Sequence, residues 1–432
     1  MRAGGHVAMR AAPAAYSSGR IWNRLRVQLG GALLFGVALP LIAMRFYLPD
    51  PSLDTFLDQN LAGLVLASSL SVYLLRNITL YPGIKSGYFV LPAVLIAYGI
   101  VFALYLFLRI DYSRAPLLGS LGCNLVWLYL STFLSARAGI ARFAVIPFGS
   151  GKSLLDVPTI NWTALKAPNL GQERYDALVA DFQHDLPDEW EAFLAECALR
   201  GIPVFHVKQL REALTGRVEI EHLSENSFGS LIPFMAYLRL RRLIDFVTAL
   251  VAGLILLLPL LLVALIIRLE SPGPALFRQR RMGYRGAPFI VTKFRTMRHD
   301  RAEDDARTGA ITREGDERIT RIGAFLRRTR IDELPQILNV LKGEMSWIGP
   351  RPEAEPLSHW YESELPFYRY RHIVPPGITG WAQVNQGHVS GLEDVNLKLQ
   401  YDFYYVKNFS PWLDALIVAR TVQTVLTGFG SR

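Results

Sequence analysis

Two acidic residues, Asp332 and Glu333, stand side by side in the stretch RTRIDELPQILNVL, residues 328–341. Adjacent positions on a helix point about 100° apart, so the two carboxylates are poor partners for each other. Acids near a helix N-terminus are stabilised by the helix dipole by roughly 0.3–1 kcal/mol each, and Pro335 is best tolerated near a helix start. An acidic side chain can also act as the nucleophile that attacks phosphorus or as a ligand of Mg²⁺. The stretch alone leaves both interpretations open.

The residues around this acidic pair separate into two faces at helical spacing. Asp332, Gln336 and Asn339 form a polar row, and the apolar stripe consists of Ile331, Leu334, Ile337, Leu338 and Leu341. Thr329 followed by Asp332 fits a capping box. The pattern predicts an amphipathic helix with both acids near its N-terminal end.

Cationic residues suited to phosphate oxygens lie on both sides of the acidic pair. In GEMSWIGPRPE, Arg351 lies between two prolines that restrict its backbone. Lys293 and Arg295 alternate with apolar residues in PFIVTKFRTM, so a strand would set them on one face. A solvated strand edge would show the same alternation. A carboxylate acting on an anionic diphosphate needs such cations, so the combination favours phosphate chemistry over capping alone.

Four apolar segments precede this region, and each is close to the roughly 20 residues with which a helix crosses the hydrocarbon core. They cover residues 27–48, 61–80, 88–109 and 116–136. Arginines before the first and after the fourth favour a bundle with both ends in the cytoplasm, preceded by a cytoplasmic tail over residues 1–26.

The composition, 51% hydrophobic and 19% charged with a net charge of +9, suits a membrane protein beside anionic lipid or phosphate. Two cysteines argue against a disulfide framework.

Residues 141–225 change character and alternate strand and helix patterns. ARFAVIPFG and IPVFHV are typical of buried strands, and PDEWEAFLAECALRG of an amphipathic helix, which predicts a small Rossmann-like unit. Its GSGKS stretch departs from a phosphate-binding loop because Ile146 stands where the first glycine belongs. Asp181, at the end of ALVAD, could imitate a magnesium-binding residue. A plain strand-to-loop turn is favoured over a nucleotide site.

A fifth apolar run, residues 243–267, has arginines at both ends and Pro259 in its middle. A crossing would place the arginines that follow it outside, against the positive-inside tendency. Proline removes a helix hydrogen bond and invites a break. The sequence therefore predicts a re-entrant helix-break-helix that returns to the cytoplasm, with a kinked fifth span as the alternative.

The C-terminal stretch SPWLDALIVARTVQTVLTGF predicts a helix with Ser410 as its cap and Pro411 in its first turn. Its apolar face suits an interfacial helix, and a core helix of the same domain fits almost as well.

Several motifs over roughly 240–430 together resemble the bacterial sugar transferase family, the monotopic polyprenol-phosphate phosphoglycosyl transferases. They occur in the order SPGPALFRQRRMG, KFRTM, RIDELPQILNVLKGEMSWIGPRPE, PGITGWAQV and LKLQYDFYYV. The four spans and the α/β unit ahead of them look like the larger, galactose or glucose phosphotransferase subgroup. The resemblance implies an enzyme of the bacterial inner membrane whose active site faces the cytoplasm.

The resemblance also implies the reaction and its participants. Asp332 would attack the β-phosphate of a UDP-sugar, expel UMP and carry a phosphosugar until undecaprenyl phosphate accepts it. Glu333 would assist, as a base towards the lipid phosphate, and Mg²⁺ would be held at Asp332. Glucose or galactose is expected over an N-acetylated sugar. A homodimer and downstream glycosyltransferases are compatible partners, and no nucleic acid is implied.

The matching motifs assign further residues. Arg351 would bind substrate phosphate, with Lys293, Arg295 and Arg281 in supporting positions of the same kind. The residues expected to contact or support substrate are Asp402, Gln336 and Gln383.

The predicted fold class is a membrane protein with three parts: an α-helical transmembrane bundle over 27–138, a Rossmann-like α/β module over 141–225 and an α+β catalytic domain over 238–432. Its function would be the first membrane step of exopolysaccharide, capsule or O-antigen synthesis. The alternative is a regulatory or scaffold membrane protein that binds nucleotide at GSGKS. A multi-span polyprenol phosphosugar transferase is disfavoured because the acidic pair lies outside the spans.

Overall fold

The structure is a computed structural model of the 432-residue chain. It describes residues 21–47, 53–78, 87–137, 142–155, 160–173, 175–219, 235–298, 318–386 and 391–427. Residues 1–20 of the predicted tail lie outside these ranges. The chain divides into two compact units, Met1–Gly216 and Arg217–Arg432.

The first unit begins with a bundle of helices in the four predicted apolar regions. These are α1 (Leu25–Leu33), which continues through a π-helical stretch Leu34–Ala38 into α2 (Leu39–Tyr47), then α3 (Leu53–Ile78), α4 (Gly87–Leu108) and α5 (Arg114–Arg137). Tyr98 of α4 is bonded to Ser68 at 3.3 Å and to Ser120 at 2.6 Å, whereas Phe107 and Val126 are exposed. Buried hydroxyls and outward apolar side chains are the arrangement expected of helices packed in lipid.

Four helical segments among the described residues are long and apolar enough to cross a membrane. They are Leu25–Phe46, Phe89–Leu108, Arg114–Ser135 and Met235–Glu270. Helix α3 packs against α4 and α1 in the same bundle. The chain is therefore a membrane protein.

The rest of the first unit is a small α/β module with a four-stranded parallel sheet. Its elements are β1 (Arg142–Val145), β2 (Asn161–Ala164), β3 (Ala177–Ala180), α6 (Asp188–Leu199), β4 (Val204–His206) and α7 (Val207–Thr215). The strand order is β2-β1-β3-β4, and all three pairings are parallel. All four residues of β3 are buried, because apolar cores cover both faces of the sheet. The predicted strands and helix are confirmed.

The second unit begins with one long helix, α8 (Met235–Glu270). The predicted helix-break-helix is not observed, because α8 remains helical throughout its described length, including Pro259. Proline removes a single backbone donor, and its fixed φ is compatible with a helix, so an otherwise apolar helix can continue past it.

One face of α8 packs along the second unit on both sides of Pro259. Ala249 joins a core with Val291 and Ile337, and Ile267 joins another with Phe294 and Leu326. The remaining surface of the helix is strongly apolar and exposed, with the largest exposed fractions at Leu254, Ile255, Leu258 and Leu269. Such a surface requires an apolar partner, which a bilayer supplies.

Short elements complete the second unit. They are β5 (Leu276–Met282), β6 (Pro288–Phe294), α9 (Arg321–Thr329), α10 (Ile337–Lys342), β7 (Ser346–Ile348), α11 (Glu355–Glu364), β8 (Gly377–Thr379), α12 (Trp381–Asn385), α13 (Leu392–Lys407) and α14 (Pro411–Thr427). Strands β5 and β6 pair antiparallel, and β7 and β8 pair parallel.

Helix α14 starts as predicted. The Ser410 hydroxyl accepts a hydrogen bond from the Leu413 amide at 3.3 Å, and Pro411 is its first residue. Leu413, Leu416 and Ile417 are fully buried, so this helix contributes to the core of the second unit.

Candidate active site

The acidic pair lies on a 3₁₀ turn, Ile331–Gln336, between α9 and α10. The predicted capping box is wrong: the Thr329 hydroxyl donates to the carbonyls of Phe325 and Leu326 within α9, and Thr320 caps that helix instead. Arg330 ends α9 in the left-handed region at φ 60°. Because the chain turns there, the two acids precede α10 and face β6 rather than continuing a helix.

Glu333 is the centre of a buried ion-pair cluster. Its Oε1 accepts from Lys293 Nζ of β6 at 3.0 Å, and Arg351 approaches the same carboxylate with both terminal nitrogens, Nη1 lying 3.3 Å from Oε2. The Glu333 side chain is only 9% exposed. Two half-buried cations thus share one carboxylate, which fixes their positions beside Asp332.

The electrostatics of the cluster follow from these contacts. Burial opposes ionisation of Glu333, but the charges of Arg351 and Lys293 hold its pKa well below the usual range. Burial together with Arg351 lowers the pKa of Lys293 to about 8. A carboxylate held ionised so firmly is a weak proton acceptor. The geometry therefore favours a positioning role for Glu333 over the expected role as a base.

Asp332 has a different environment from its neighbour. Its Oδ1 is buried and has no hydrogen-bond partner among the described residues. Burial and the charge of Glu333 raise the pKa of Asp332, while Lys293, Arg351 and Arg327 oppose that shift. An acceptor oxygen without a donor, set beside fixed cations, suits a nucleophile or a metal ligand.

The residues present fit a magnesium ion that is completed by substrate. Within the described ranges, no group of three acidic, histidine or cysteine side chains could hold a metal. Mg²⁺ is commonly bound by one or two carboxylates together with water and substrate phosphate oxygens, and the unpaired carboxylate oxygen of Asp332 is a ligand of this type.

Two of the cations expected to bind phosphate donate hydrogen bonds to backbone carbonyls. Arg295 donates from Nη1 to the Pro272 carbonyl at 2.8 Å and from Nη2 to the Ser271 carbonyl at 2.7 Å, at the C-terminal end of α8. Arg281 donates from Nη1 to the Pro352 carbonyl at 2.6 Å and also contacts Gln279. Both guanidinium groups thus bind the chain itself, and their expected role as phosphate ligands stays a prediction.

The three residues expected to contact or support substrate are in separate environments. Asp402 of α13 is 1% exposed and pairs with Arg371 at 2.8 Å, which makes it structural. Gln336 is 2% exposed, and its Nε2 has no partner among the described residues. Gln383 donates to the Ile378 carbonyl at 3.1 Å. Gln336, one helical turn after Asp332, keeps an unused donor near the acidic pair.

Sequence reasoning missed Arg371 and Tyr368, which lie in the turn Tyr368–Ile373. The Arg371 guanidinium is 2% exposed and donates to the Tyr368 hydroxyl at 2.8 Å. YRYRHI has no periodicity or motif that points to a site, and only an acid distant in sequence, Asp402, neutralises Arg371.

The GSGKS stretch forms a 3₁₀ turn, Gly149–Leu154, at the carboxyl end of β1. Asp181 Oδ2 accepts from the Ser150 amide at 2.9 Å and from its hydroxyl at 2.6 Å. A Cβ at Gly149, where φ is +60°, would lie 2.5 Å from the same oxygen. The Asp181 carboxylate therefore lies directly against this turn and accepts both Ser150 donors.

A model of the family described as bacterial sugar transferase matches residues 236–428, which contain every residue of the Asp332 site. A UDP-N-acetylgalactosamine-undecaprenyl-phosphate N-acetylgalactosaminephosphotransferase from Aeromonas hydrophila is 45% identical over 381 residues, 88% of this chain and 89% of the relative. The chain belongs to the bacterial sugar transferase family.

Two further relatives match shorter stretches of the chain. A UDP-glucose:undecaprenyl-phosphate glucose-1-phosphate transferase from Caulobacter vibrioides is 45% identical over 202 residues, 46% of this chain and 74% of the relative. The exopolysaccharide production protein PSS from Rhizobium leguminosarum is 45% identical over 193 residues, 44% of this chain and 96% of the relative.

Proposed function

We propose that this enzyme transfers a sugar 1-phosphate from a UDP-sugar to undecaprenyl phosphate and releases UMP. The observation that carries the proposal is the buried, unpaired Oδ1 of Asp332 beside the Glu333 ion-pair cluster. Family membership supports the same reaction class, since the Aeromonas and Caulobacter relatives are undecaprenyl-phosphate sugar phosphotransferases by name.

In the first step, the Asp332 carboxylate attacks the β-phosphorus of the UDP-sugar. The bond from that phosphorus to the bridging oxygen breaks, UMP leaves with the bond's electron pair, and the phosphosugar remains on the aspartate. Lys293 and Arg351 lower the cost of bringing an anionic carboxylate to an anionic diphosphate. Glu333 keeps both cations in place, because a misplaced charge contributes little to the transition state.

In the second step, a phosphate oxygen of undecaprenyl phosphate attacks the same phosphorus. The bond to Asp332 breaks, which regenerates the carboxylate and leaves a lipid-linked sugar diphosphate. A magnesium ion at Asp332 would supply further charge neutralisation for the phosphate oxygens. The apolar exposed surface of α8 lies in the same unit as Asp332, so the lipid substrate can react while its chain stays in the bilayer.

We further propose that the active site faces the cytoplasm at the bacterial inner membrane, where the product starts polysaccharide assembly. The arginines that flank the bundle support this orientation. As donor sugar we propose N-acetylgalactosamine first, because the Aeromonas relative aligns across both units, whereas the Caulobacter relative aligns over less than half of this chain. This choice replaces the expectation of glucose or galactose.

The test is UMP release by membranes that contain the enzyme, with UDP-N-acetylgalactosamine, UDP-N-acetylglucosamine, UDP-galactose and UDP-glucose as donors. We expect release with the first donor, loss of release in Asp332→Asn, and full release in the control Lys152→Ala. Release that persists in Asp332→Asn would refute the covalent mechanism. Nucleotide hydrolysis that is lost only in Lys152→Ala would instead support the regulatory alternative.

A further inference from the structure

The turn that carries Arg351 is held by its carbonyl oxygens, four in succession. The Pro350 carbonyl accepts from the Gly377 amide at 3.0 Å, and the Glu353 carbonyl accepts from the Met282 amide at 3.0 Å. Between them, the Arg351 carbonyl accepts from Arg371 Nη2 at 2.8 Å, and the Pro352 carbonyl accepts from Arg281 Nη1 at 2.6 Å.

This mode of attachment follows from the sequence of the turn. Pro350 and Pro352 have no amide hydrogen, so two of the four residues of the turn have no backbone donor with which to anchor it. The four carbonyls supply the contacts given above. At the two central carbonyls, those of Arg351 and Pro352, the donors are guanidinium side chains from outside the turn.

The Arg371 side chain is fixed beside the Arg351 carbonyl by its hydrogen bonds. Its Nε donates to Asp402 Oδ2 at 3.0 Å and its Nη1 to the Tyr368 hydroxyl at 2.8 Å, which leaves Nη2 to reach the Arg351 carbonyl. The residue is 2% exposed and Asp402 is 1% exposed. A buried, neutralised guanidinium with partners on every nitrogen has a single geometry, and it transmits that geometry to the backbone it holds.

We propose that Arg371, fixed by Asp402, is a positioning residue that acts on the reaction through Arg351. The inference rests on the proposed function, in which Arg351 and Lys293 neutralise substrate phosphate. Arg371 holds the backbone of Arg351 from one side, while Glu333 holds its guanidinium from the other. Without the hydrogen bond from Arg371 to the Arg351 carbonyl, the Arg351 guanidinium can move relative to the substrate phosphate. Every side chain beside Asp332 is still present in that case.

The experiment is a double-mutant cycle on UMP release that combines Arg371→Lys with Arg351→Lys. Lysine keeps the charge at position 371 but cannot bridge Asp402, Tyr368 and the carbonyl together. We expect Arg371→Lys to lower kcat by about tenfold or more in the wild-type background, since small misplacements cost up to about a hundredfold. In the Arg351→Lys background the same change should cost less than about threefold, because the fork it positions is already absent.

Arg241→Lys is the matched control. Arg241 is also a buried guanidinium, bonded to Tyr405 at 2.7 Å and to Ser346 at 2.6 Å, but it does not contact residues 350–353 in the structure as described. Its effect on kcat should be equal in both Arg351 backgrounds. Should Arg371→Lys fail to fold, Asp402→Asn, which keeps the side-chain volume, serves in the same cycle.

Two results would overturn the inference: equal losses from Arg371→Lys in both backgrounds, or wild-type kcat in Arg371→Lys. Wild-type enzyme that releases no UMP from any donor would refute the proposed function instead, so the two failures are distinguishable.

Discussion

At the scale of single residues, the two adjacent acids have opposite environments. Glu333 pairs with two half-buried cations, whereas Asp332 has a buried oxygen without a partner and a raised pKa. The Glu333 carboxylate therefore stabilises the fold, whereas the Asp332 carboxylate lowers stability and is available for the reaction. This division is typical of functional sites, where local strain is offset by the surrounding structure.

Substitution of the two acids by their amides should therefore change stability in opposite directions. Glu333→Gln leaves Lys293 and Arg351 without their carboxylate, and breaking a buried charge pair in this way costs about 3–5 kcal/mol. Asp332→Asn removes a charge that burial and Glu333 disfavour, so its melting temperature should equal or exceed that of wild type. Thermal unfolding of both purified variants in the same detergent measures this contrast. Equal destabilisation by the two substitutions would show that the roles are not divided.

The pH dependence of transfer should report on Lys293. Its pKa is lowered to about 8, so its ammonium is present below that pH and is lost as the pH rises through it. UMP release should accordingly fall on the alkaline side near pH 8, because the neutral amine no longer binds Glu333 or phosphate.

Lys293→Arg provides the comparison, since a guanidinium remains charged beyond pH 12. The alkaline decline should move to higher pH in this variant, even where its maximal rate is lower. A decline that stays near pH 8 would assign the titration to another group.

The chemistry of the site was predictable from residue types, but its pairings were not. The sequence placed two acids near several cations, and Asp332, Glu333, Lys293 and Arg351 do meet. The sequence could not show that Glu333 forms ion pairs with both Lys293 and Arg351, because 40 residues separate Glu333 from Lys293 and 18 separate it from Arg351. Nor could it separate these cations from Arg295, whose motif is the same but whose partners are carbonyls at a helix end.

At the scale of elements, helix α8 shows where local rules are insufficient. Pro259 predicts a break because it removes a hydrogen bond, yet α8 is helical on both sides and through it. Tertiary packing decides the outcome: Ala249 and Ile267 are buried in separate cores of the same unit. The strands and α6 of the α/β module were predictable because alternation, length and burial agree there.

The ends of α8 should lie on the same side of the membrane. Near its start, Arg241 binds Ser346, and at its end Glu270 accepts from the Ile322 amide at 3.1 Å, both within the second unit. Single cysteines in place of the exposed Arg239 and Arg268, in a C123A/C197A background, should both react with an impermeant maleimide from the cytoplasmic side only.

The control is the same pair of variants in detergent, where both positions should label fully. Labelling of Arg239→Cys and Arg268→Cys from opposite faces of sealed vesicles would establish a crossing helix and refute the placement of both ends of α8 on one side.

At the scale of the whole molecule, the reaction groups all belong to the second unit. Residues 217–219 are already part of it, because the Val218 amide donates to the Gln400 carbonyl at 3.0 Å and Arg217 lies 5.1 Å from the Tyr401 ring centre. Catalysis should therefore need neither the bundle nor the α/β module.

A truncated chain of residues 217–432 should retain UMP release within about tenfold of the full chain, since every residue that contacts the Asp332 site is kept. A chain of residues 235–432 lacks the Val218 and Arg217 contacts and should unfold at a lower temperature while keeping the same KM for the donor. Donor kinetics and thermal unfolding of both truncated chains in lipid nanodiscs provide the measurement. A folded 217–432 chain without activity would mean that the first unit contributes to the reaction itself. The turn Gly149–Leu154, which is bonded to Asp181, would then be the first place to look for that contribution.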